Sequence, residues 1–185
     1  MHIDPSQVYH PEADTYLLLD AALAEVKPGD RVLEIGTGSG LIACGIKRVV
    51  SVVATDINPH AANSARKCGV EVIRTDLFAG ICGTFDLVLF NPPYLPTRPE
   101  ERIDDWLEYA LDGGECGRVV IERFASDVHR ILAHGGRILL LVSSLTGPDK
   151  VRDLFSHKGF SSIIAKRQIV EDEELLVLRI TRDRQ

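Results

Sequence analysis

Arg31-Val32-Leu33-Glu34-Ile35, running into Gly36-Thr37-Gly38-Ser39-Gly40, is the stretch on which the fold turns. Its nearly continuous apolar start predicts a strand buried on both faces. The glycines, alternating with small hydroxyl residues, predict a tight turn whose backbone can approach a ligand closely. Leu41–Arg48 then reads as a helix, so the turn ends at a helix N-terminus with unpaired N–H groups. Strand, glycine loop and helix in that order predict a nucleotide-binding α/β unit.

The alternation continues on the C-terminal side. Val49–Thr55, Val70–Arg74, Phe85–Phe90 and Arg137–Ser143 read as strands, with helices at Pro59–Lys67 and Val119–Ala133. This order predicts a parallel sheet with right-handed crossovers and helices on both faces. Asn58-Pro59 offers a side-chain cap and a first-turn proline, and Gly135-Gly136 is expected to stop the long helix. After a helix at Pro148–His157, Phe160–Arg167 and Glu174–Thr181 read as antiparallel strands joined by Glu171-Asp172-Glu173-Glu174. That acidic run reads as a solvated turn. Ahead of the sheet, Asp14–Val26 forms an amphipathic helix with Leu17, Leu18, Ala21, Ala22 and Val26 as its apolar stripe. One domain is expected over residues 1–185, with a helical segment at 1–29 and an α/β core at 30–185.

Composition narrows the function. A net charge of -6 over 185 residues, with no Lys/Arg run, disfavours direct binding of nucleic acid through phosphate contacts. Cys44, Cys68, Cys82 and Cys116 are scattered with no close pair at metal-ligand spacing, and the dispersed histidines form no HExxH arrangement, so no metal site is expected. The start lacks a basic, apolar leader, and the longest apolar run is strand-sized. A cytoplasmic protein with no membrane partner is expected.

The glycine loop discriminates between cofactors. A dinucleotide fingerprint requires a third glycine at position 41, where this chain has Leu41. Here Gly36, Gly38 and Gly40 are preceded by an acid, Glu34, which suits a cationic sulfonium and its ammonium group better than a pyrophosphate. Asp56 ends the second strand, where a carboxylate can accept both ribose hydroxyls. Asp76 follows the third strand and can accept from an adenine amino group, with Leu77 against the ring. Three acids at three consecutive strand ends predict S-adenosyl-L-methionine as the cofactor.

The fourth strand leads to Asn91-Pro92-Pro93-Tyr94. A residue before proline is pushed to extended conformations, and the prolines lack N–H donors. The Asn91 side-chain oxygen and the Pro92 carbonyl can therefore accept both hydrogens of an –NH2 group, while Tyr94 stacks on its plane. Two such acceptors orient a poorly nucleophilic nitrogen and stabilise the positive charge that develops on it. Asn91, Pro92 and Tyr94 are the expected catalytic residues. Asn91, Pro92, Pro93 and Tyr94 form the expected substrate-binding loop, and Asn91 also borders the cofactor.

These features resemble the HemK/PrmC-type N5-glutamine methyltransferases of the class I superfamily, in particular their short archaeal and eukaryotic branch. The resemblance also takes in Val8-Tyr9-His10-Pro11, Asp14-Thr15, Thr55-Asp56, Thr75-Asp76-Leu77, Asp112-Gly113-Gly114 and Gly117-Arg118. It implies a Rossmann-like sheet of seven strands, mostly parallel, with the last antiparallel. It implies methylation of the glutamine in the Gly-Gly-Gln motif of a class I translation release factor, with Thr15 at the cofactor's amino-acid end. It further implies a small zinc-binding activator subunit pairing along the third-strand edge, and the apolar Val70-Glu71-Val72-Ile73 fits a covered edge. Pro11-Glu12-Ala13-Asp14-Thr15 departs from the family's usual Pro-Ala-Glu-Asp-Thr, so no role is carried over for the acid before Asp14.

Competing readings are an adenine-N6 methyltransferase on nucleic acid, a protein-lysine methyltransferase and a silent cofactor-binding regulatory subunit. The acidic, short chain disfavours the first, because base extrusion needs extra binding surface. Tyr94 favours a planar acceptor over lysine, and the intact Asn91-Pro92-Pro93-Tyr94 loop speaks against the third.

Overall fold

The computed structural model describes residues 3–183, so the first two residues of the expected 1–29 segment lie outside it. Seven strands form one sheet: β1 (Arg31–Ile35), β2 (Ser51–Asp56), β3 (Glu71–Arg74), β4 (Phe85–Phe90), β5 (Leu132–Ser143), β6 (Phe160–Val170) and β7 (Glu173–Arg182), in the order β3-β2-β1-β4-β5-β7-β6. Strands β1 to β5 pair in parallel, and β7 runs antiparallel to both β5 and β6. Helices α1 (Ala13–Glu25), α2 (Leu41–Ile46) and α3 (Pro59–Lys67) share one face; α5 (Val119–Asp127) and α6 (Pro148–Ser156) cover the other, and a short α4 (Glu108–Leu111) lies in the loop after β4. The mostly parallel sheet with helices on both faces is what the alternation of strands and helices predicts, and its seven strands with an antiparallel last strand are what the family resemblance implies.

Burial explains why the central strands read as continuous apolar runs. Leu87, Leu89, Leu139 and Leu141 pack under α1 and α2, whereas Val88, Phe90, Ile138 and Leu140 pack under α5 and α6. Successive side chains of one strand thus enter two different cores, and neither face can be polar. Near α3, the small residues Ala43, Ala54, Ala62 and Ala65 let two helices and the sheet approach closely.

Several boundaries differ from expectation. The helix expected to run from Val119 to Ala133 ends at Asp127, and a 3-10 turn at Val128–Arg130 leads into β5. Gly135-Gly136 does not stop it: both glycines lie inside β5, in a bulge between the Phe85–Leu132 and Leu87–Arg137 pairs. Leu132 and Ala133 were counted in the helix because a buried strand start and a buried helix end look alike in hydropathy. Likewise α2 stops at Ile46 rather than Arg48, and β2 begins at Ser51. Strands β6 and β7 are longer than expected, closed by a tight turn at Glu171-Asp172 with Glu171 at φ 52°.

One buried cation ties the strand bases to the first helix. Arg137, 4% exposed, reaches Asp30 through Nη2 at 2.7 Å and Glu25 through Nε at 3.1 Å, and also donates to the carbonyls of Glu25 and Asp86. Burial opposes ionisation of Asp30, but hydrogen bonds from Arg137 and the Lys27 backbone hold its carboxyl below the ordinary range. Removing one member of such a cluster strands its partners. Arg137→Leu is expected to lower unfolding free energy by about 3–5 kcal/mol, measured by urea titration.

Candidate active site

The parallel strands deliver their carboxyl ends to a single edge, and a cavity of about 420 Å³ opens there. Thr15, Glu34, Gly36, Gly38, Asp56, Asp76, Leu77, Asn91, Pro92, Pro93 and Tyr94 all line it. Gly40 does not. It caps α2 at φ 86°, and a Cβ there would meet the Ala65 Cα at 2.7 Å. Its glycine is required by the packing of α2 on α3.

The acids of the loop are committed in different ways. Glu34 is 2% exposed, and its Oε2 accepts from the Thr37 hydroxyl at 2.8 Å and from the Ala43 N–H at 3.1 Å. It therefore ties the glycine loop to the first turn of α2 and presents little free charge to a ligand. Asp56 ends β2 with Oδ2 on the Gly38 N–H at 2.9 Å and Oδ1 on the Asn58 N–H at 2.8 Å, and each oxygen retains a lone pair for a hydroxyl. Asp76, more exposed, is held by Arg123 at 2.6 Å through Oδ2.

Asp14 organises the opposite wall. Only 3% exposed, it accepts from Asn91 Nδ2 at 3.0 Å, Tyr9 Oη at 3.1 Å and Tyr94 Oη at 3.5 Å, all on Oδ2. Its Oδ1 receives the Thr15 N–H and hydroxyl. A carboxylate can only accept, so Asn91 must turn its NH2 toward Asp14 and its oxygen away. That oxygen, Asn91 Oδ1, is buried with no partner. Burial first, then the negative charge of Asp14, pushes Tyr9 and Tyr94 well above the ordinary phenol range, so both remain protonated donors.

The catalytic loop is braced from behind. The Leu95 backbone bridges to Asp112, and Gly113 N–H donates to the Leu95 carbonyl at 2.9 Å. A Cβ on Gly117 would fall 2.5 Å from the Tyr94 carbonyl oxygen. The Asp112-Gly113-Gly114 and Gly117-Arg118 residues, noted in the sequence only as part of the resemblance, thus fit directly against the Tyr94-Leu95 backbone.

Four contributors were not foreseen as site residues. Asp14 was quoted only as part of a motif, though an acid beside Thr15 in the first helical turn was the available signal. Trp106 and Tyr109, stacked at 5.4 Å between ring centroids, wall the cavity from the loop after β4, where hydropathy carries no positional signal. Glu173, assigned to a solvated turn, instead starts β7 and lines the cavity. Its position is corrected by the antiparallel pairing, which returns β7 to the same sheet edge as β4.

Residues 10–104 match the model of the methyltransferase small domain family. The chain is 41% identical to a putative protein N5-glutamine methyltransferase of Methanocaldococcus jannaschii, over 95% of this chain and 92% of that one. It is 34% identical to the methyltransferase HEMK2 of Homo sapiens, over 96% and 91% respectively. The E. cuniculi Mtq2–Trm112 complex, responsible for methylation of the eRF1 translation termination factor, superposes with TM-score 0.81 at 31% identity, covering 96% of this chain and 99% of that one.

The chain belongs to the HemK/PrmC-like family of class I S-adenosylmethionine-dependent methyltransferases.

For this methyltransferase the cavity fits the family's cofactor by its own chemistry. Asp56 has spare acceptor lone pairs at the β2 end, and Leu77 offers an apolar wall.

Glu34 makes the fold sensitive to pH. Desolvation raises its pKa to about 8, against the stabilising hydrogen bonds from Thr37 and Ala43, with the charge of Asp56 adding to the rise. Because the folded pKa lies above the unfolded value, the unfolded chain releases this proton first, and stability falls as pH climbs through that interval. Glu34→Gln, which keeps an acceptor oxygen without the charge, is expected to melt above the wild type at pH 8. The difference should shrink toward pH 5, as read by calorimetric Tm.

Proposed function

We propose that this methyltransferase transfers a methyl group to the side-chain amide nitrogen of a glutamine, the one in the Gly-Gly-Gln motif of a class I translation release factor. One observation carries the reading. Asn91 lines the cavity, its side-chain oxygen is buried and unpartnered, and its amide is held in that orientation by Asp14. An –NH2 group is the donor such an oxygen lacks, and a planar amide also suits the adjoining Tyr94 ring. The N5-glutamine name of the Methanocaldococcus jannaschii relative and the termination-factor activity of the E. cuniculi complex support the same acceptor.

When bound, S-adenosylmethionine supplies an electrophilic methyl on a sulfonium. In this reading Asp56 holds the ribose, Asp76 and Leu77 the adenine, and Thr15 with the Gly36–Gly38 backbone the amino-acid end. Asn91 Oδ1 and the Pro92 carbonyl accept the two amide hydrogens, directing the nitrogen lone pair at the methyl group and stabilising the charge it gains. Preorganisation matters here because an acceptor already locked in place has no reorientation cost during transfer. The proton is lost after the methyl arrives, when the nitrogen has become acidic. The reaction belongs, on this reading, to the cytoplasm.

A small zinc-binding activator is proposed to pair along β3. That strand is a sheet edge, and Ile73 on it is 41% exposed, an apolar residue on an otherwise unpaired ladder. The presence of Trm112 in complex with Mtq2 in the E. cuniculi structure supports a partner subunit.

Asp56→Ala is expected to weaken cofactor binding about tenfold or more, as loss of a charged hydrogen-bond acceptor does. Asn91→Ala should instead cost roughly 10²–10³ in turnover, the scale of a lost transition-state contact, with calorimetric cofactor affinity nearly unchanged. Methylated release factor, digested and sequenced by mass spectrometry, should carry the label on glutamine; label on lysine or nucleic acid would refute the proposed acceptor. Ile73→Asp is expected to abolish co-purification with the activator while leaving the Tm of the isolated chain within about 2 °C, as for a surface substitution.

A further inference from the structure

Glu173 is a carboxylate in an unusual position. It begins β7 immediately after the Glu171-Asp172 turn, pairs with Val170 across the hairpin, and faces the cavity that Asn91 and Tyr94 line. Its Oε1 is buried without a hydrogen-bond partner, a condition it shares with Asn91 Oδ1 in the same cavity. Buried acceptors are costly to leave unmade and are nearly always satisfied in a folded protein. No basic side chain pairs with it among the described residues, since the neighbouring Glu174 is the one that meets Arg167. Nor can Tyr94 serve it, because that hydroxyl is directed at Asp14.

A ligand bound in the cavity can bring the donor that Oε1 lacks among the described residues. Two ligands enter this cavity, the cofactor and the methyl acceptor. The acids proposed to hold the cofactor, Asp56 and Asp76, follow β2 and β3, whereas Glu173 reaches the cavity from β7, beyond β1, β4 and β5 in the sheet order. It shares its surroundings with Tyr94 and with Glu12 at the rim, whose charges together act on the Tyr94 phenol after burial and Asp14. That is the acceptor's side.

We propose that Glu173 is a substrate-positioning residue that accepts a hydrogen bond from an N–H of the methyl-accepting polypeptide, anchoring the segment that carries the target nitrogen. The inference rests on reading Asn91–Tyr94 as the acceptor-holding loop, and it adds a third oxygen contributed by a strand on the far side of the sheet. It also makes the acceptor site selective for chains rich in donors: a segment with small residues beside its target can bring backbone N–H groups within reach of a fixed carboxylate. Glu173 performs no bond making; its effect is on where the acceptor sits.

The test uses the full chain with its activator, labelled S-adenosylmethionine, and a release-factor domain carrying Gly-Gly-Gln. Glu173→Leu, similar in size but with no acceptor, is expected to raise the acceptor KM about tenfold or more, the scale of a lost charged hydrogen bond. Glu173→Gln keeps one acceptor oxygen and should recover most of that loss. Cofactor affinity by calorimetry should stay within about twofold of wild type, the order of 0.4 kcal/mol. Melting temperature should hold, because the half-buried Glu173 side chain makes no hydrogen bond or ion pair that the substitution would break. An unchanged acceptor KM in Glu173→Leu overturns the proposal, as does a parallel loss of cofactor affinity or a fall in Tm that accounts for the defect.

A second arm replaces the domain with cell extract, so that Glu173 and the glutamine reading fail separately. If wild type labels an extract protein but not the release-factor domain, the acceptor assignment fails, and Glu173→Leu is judged by incorporation into that extract band. If wild type labels neither, both fail together.

Discussion

A carboxylate can only accept hydrogen bonds, and Asp14 places one, almost without solvent, against the side-chain amide of Asn91. That constraint orients the catalytic loop. With the Asn91 NH2 drawn to Asp14, the amide oxygen is turned away from that carboxylate and is buried unpaired in a residue that lines the cavity. The same carboxylate collects the hydroxyls of Tyr9 and Tyr94 and the N–H of Thr15, so α1 and the end of β4 are held together by a single side chain. The helix preceding the sheet consequently positions Asn91 as well as covering one core.

The surrounding fold is arranged to keep that contact rigid. Arg137 clamps α1 and the turn after it to the base of β4 and β5, at the opposite end of the strands from the cavity. Leu17, Leu18, Ala21 and Ala22 seat the same helix on the sheet. On the far side, a returning loop lies against the Tyr94-Leu95 backbone: Gly113 donates to the Leu95 carbonyl, and a side chain on Gly117 would collide with the Tyr94 carbonyl. The proline pair restricts the loop's own dihedrals. Asn91 is thus bounded by a helix, a loop and its own covalent stiffness, which is the structural meaning of a preorganised acceptor.

The cost of this arrangement is visible as unsatisfied polarity. Asn91 Oδ1 and Glu173 Oε1 are buried without donors, and Glu34 is driven toward its neutral form by desolvation. Polar groups left in that condition oppose folding, and they persist where a ligand completes them. Stability is drawn instead from the two apolar layers on either face of the sheet, remote from the cavity. The division of labour follows from the architecture: strand centres build the core, and strand ends, which have no neighbour above them, are free to carry charge.

How much of this was legible beforehand depends on whether the signal was local. Residue order alone disclosed the parallel sheet, the glycine loop, the Asn58 cap and the Asn91–Tyr94 loop, because strand period, turn chemistry and proline stiffness act between residues near one another in the chain. Those properties also located Asp56, Asp76 and Asn91 at strand ends, which a parallel sheet necessarily gathers on one edge. Other features required the chain to meet itself. Gly40 proved to serve helix packing because Ala65 comes to rest against it; the Gly135-Gly136 pair became a bulge because β4 sets the register; and Glu173 left its turn for the cavity because an antiparallel strand returns it there. Asp14 and Asn91 are 77 positions apart, and a hydrogen bond between such distant residues has no pattern in one dimension. Its geometry exists only once hydrophobic burial has brought the two elements together.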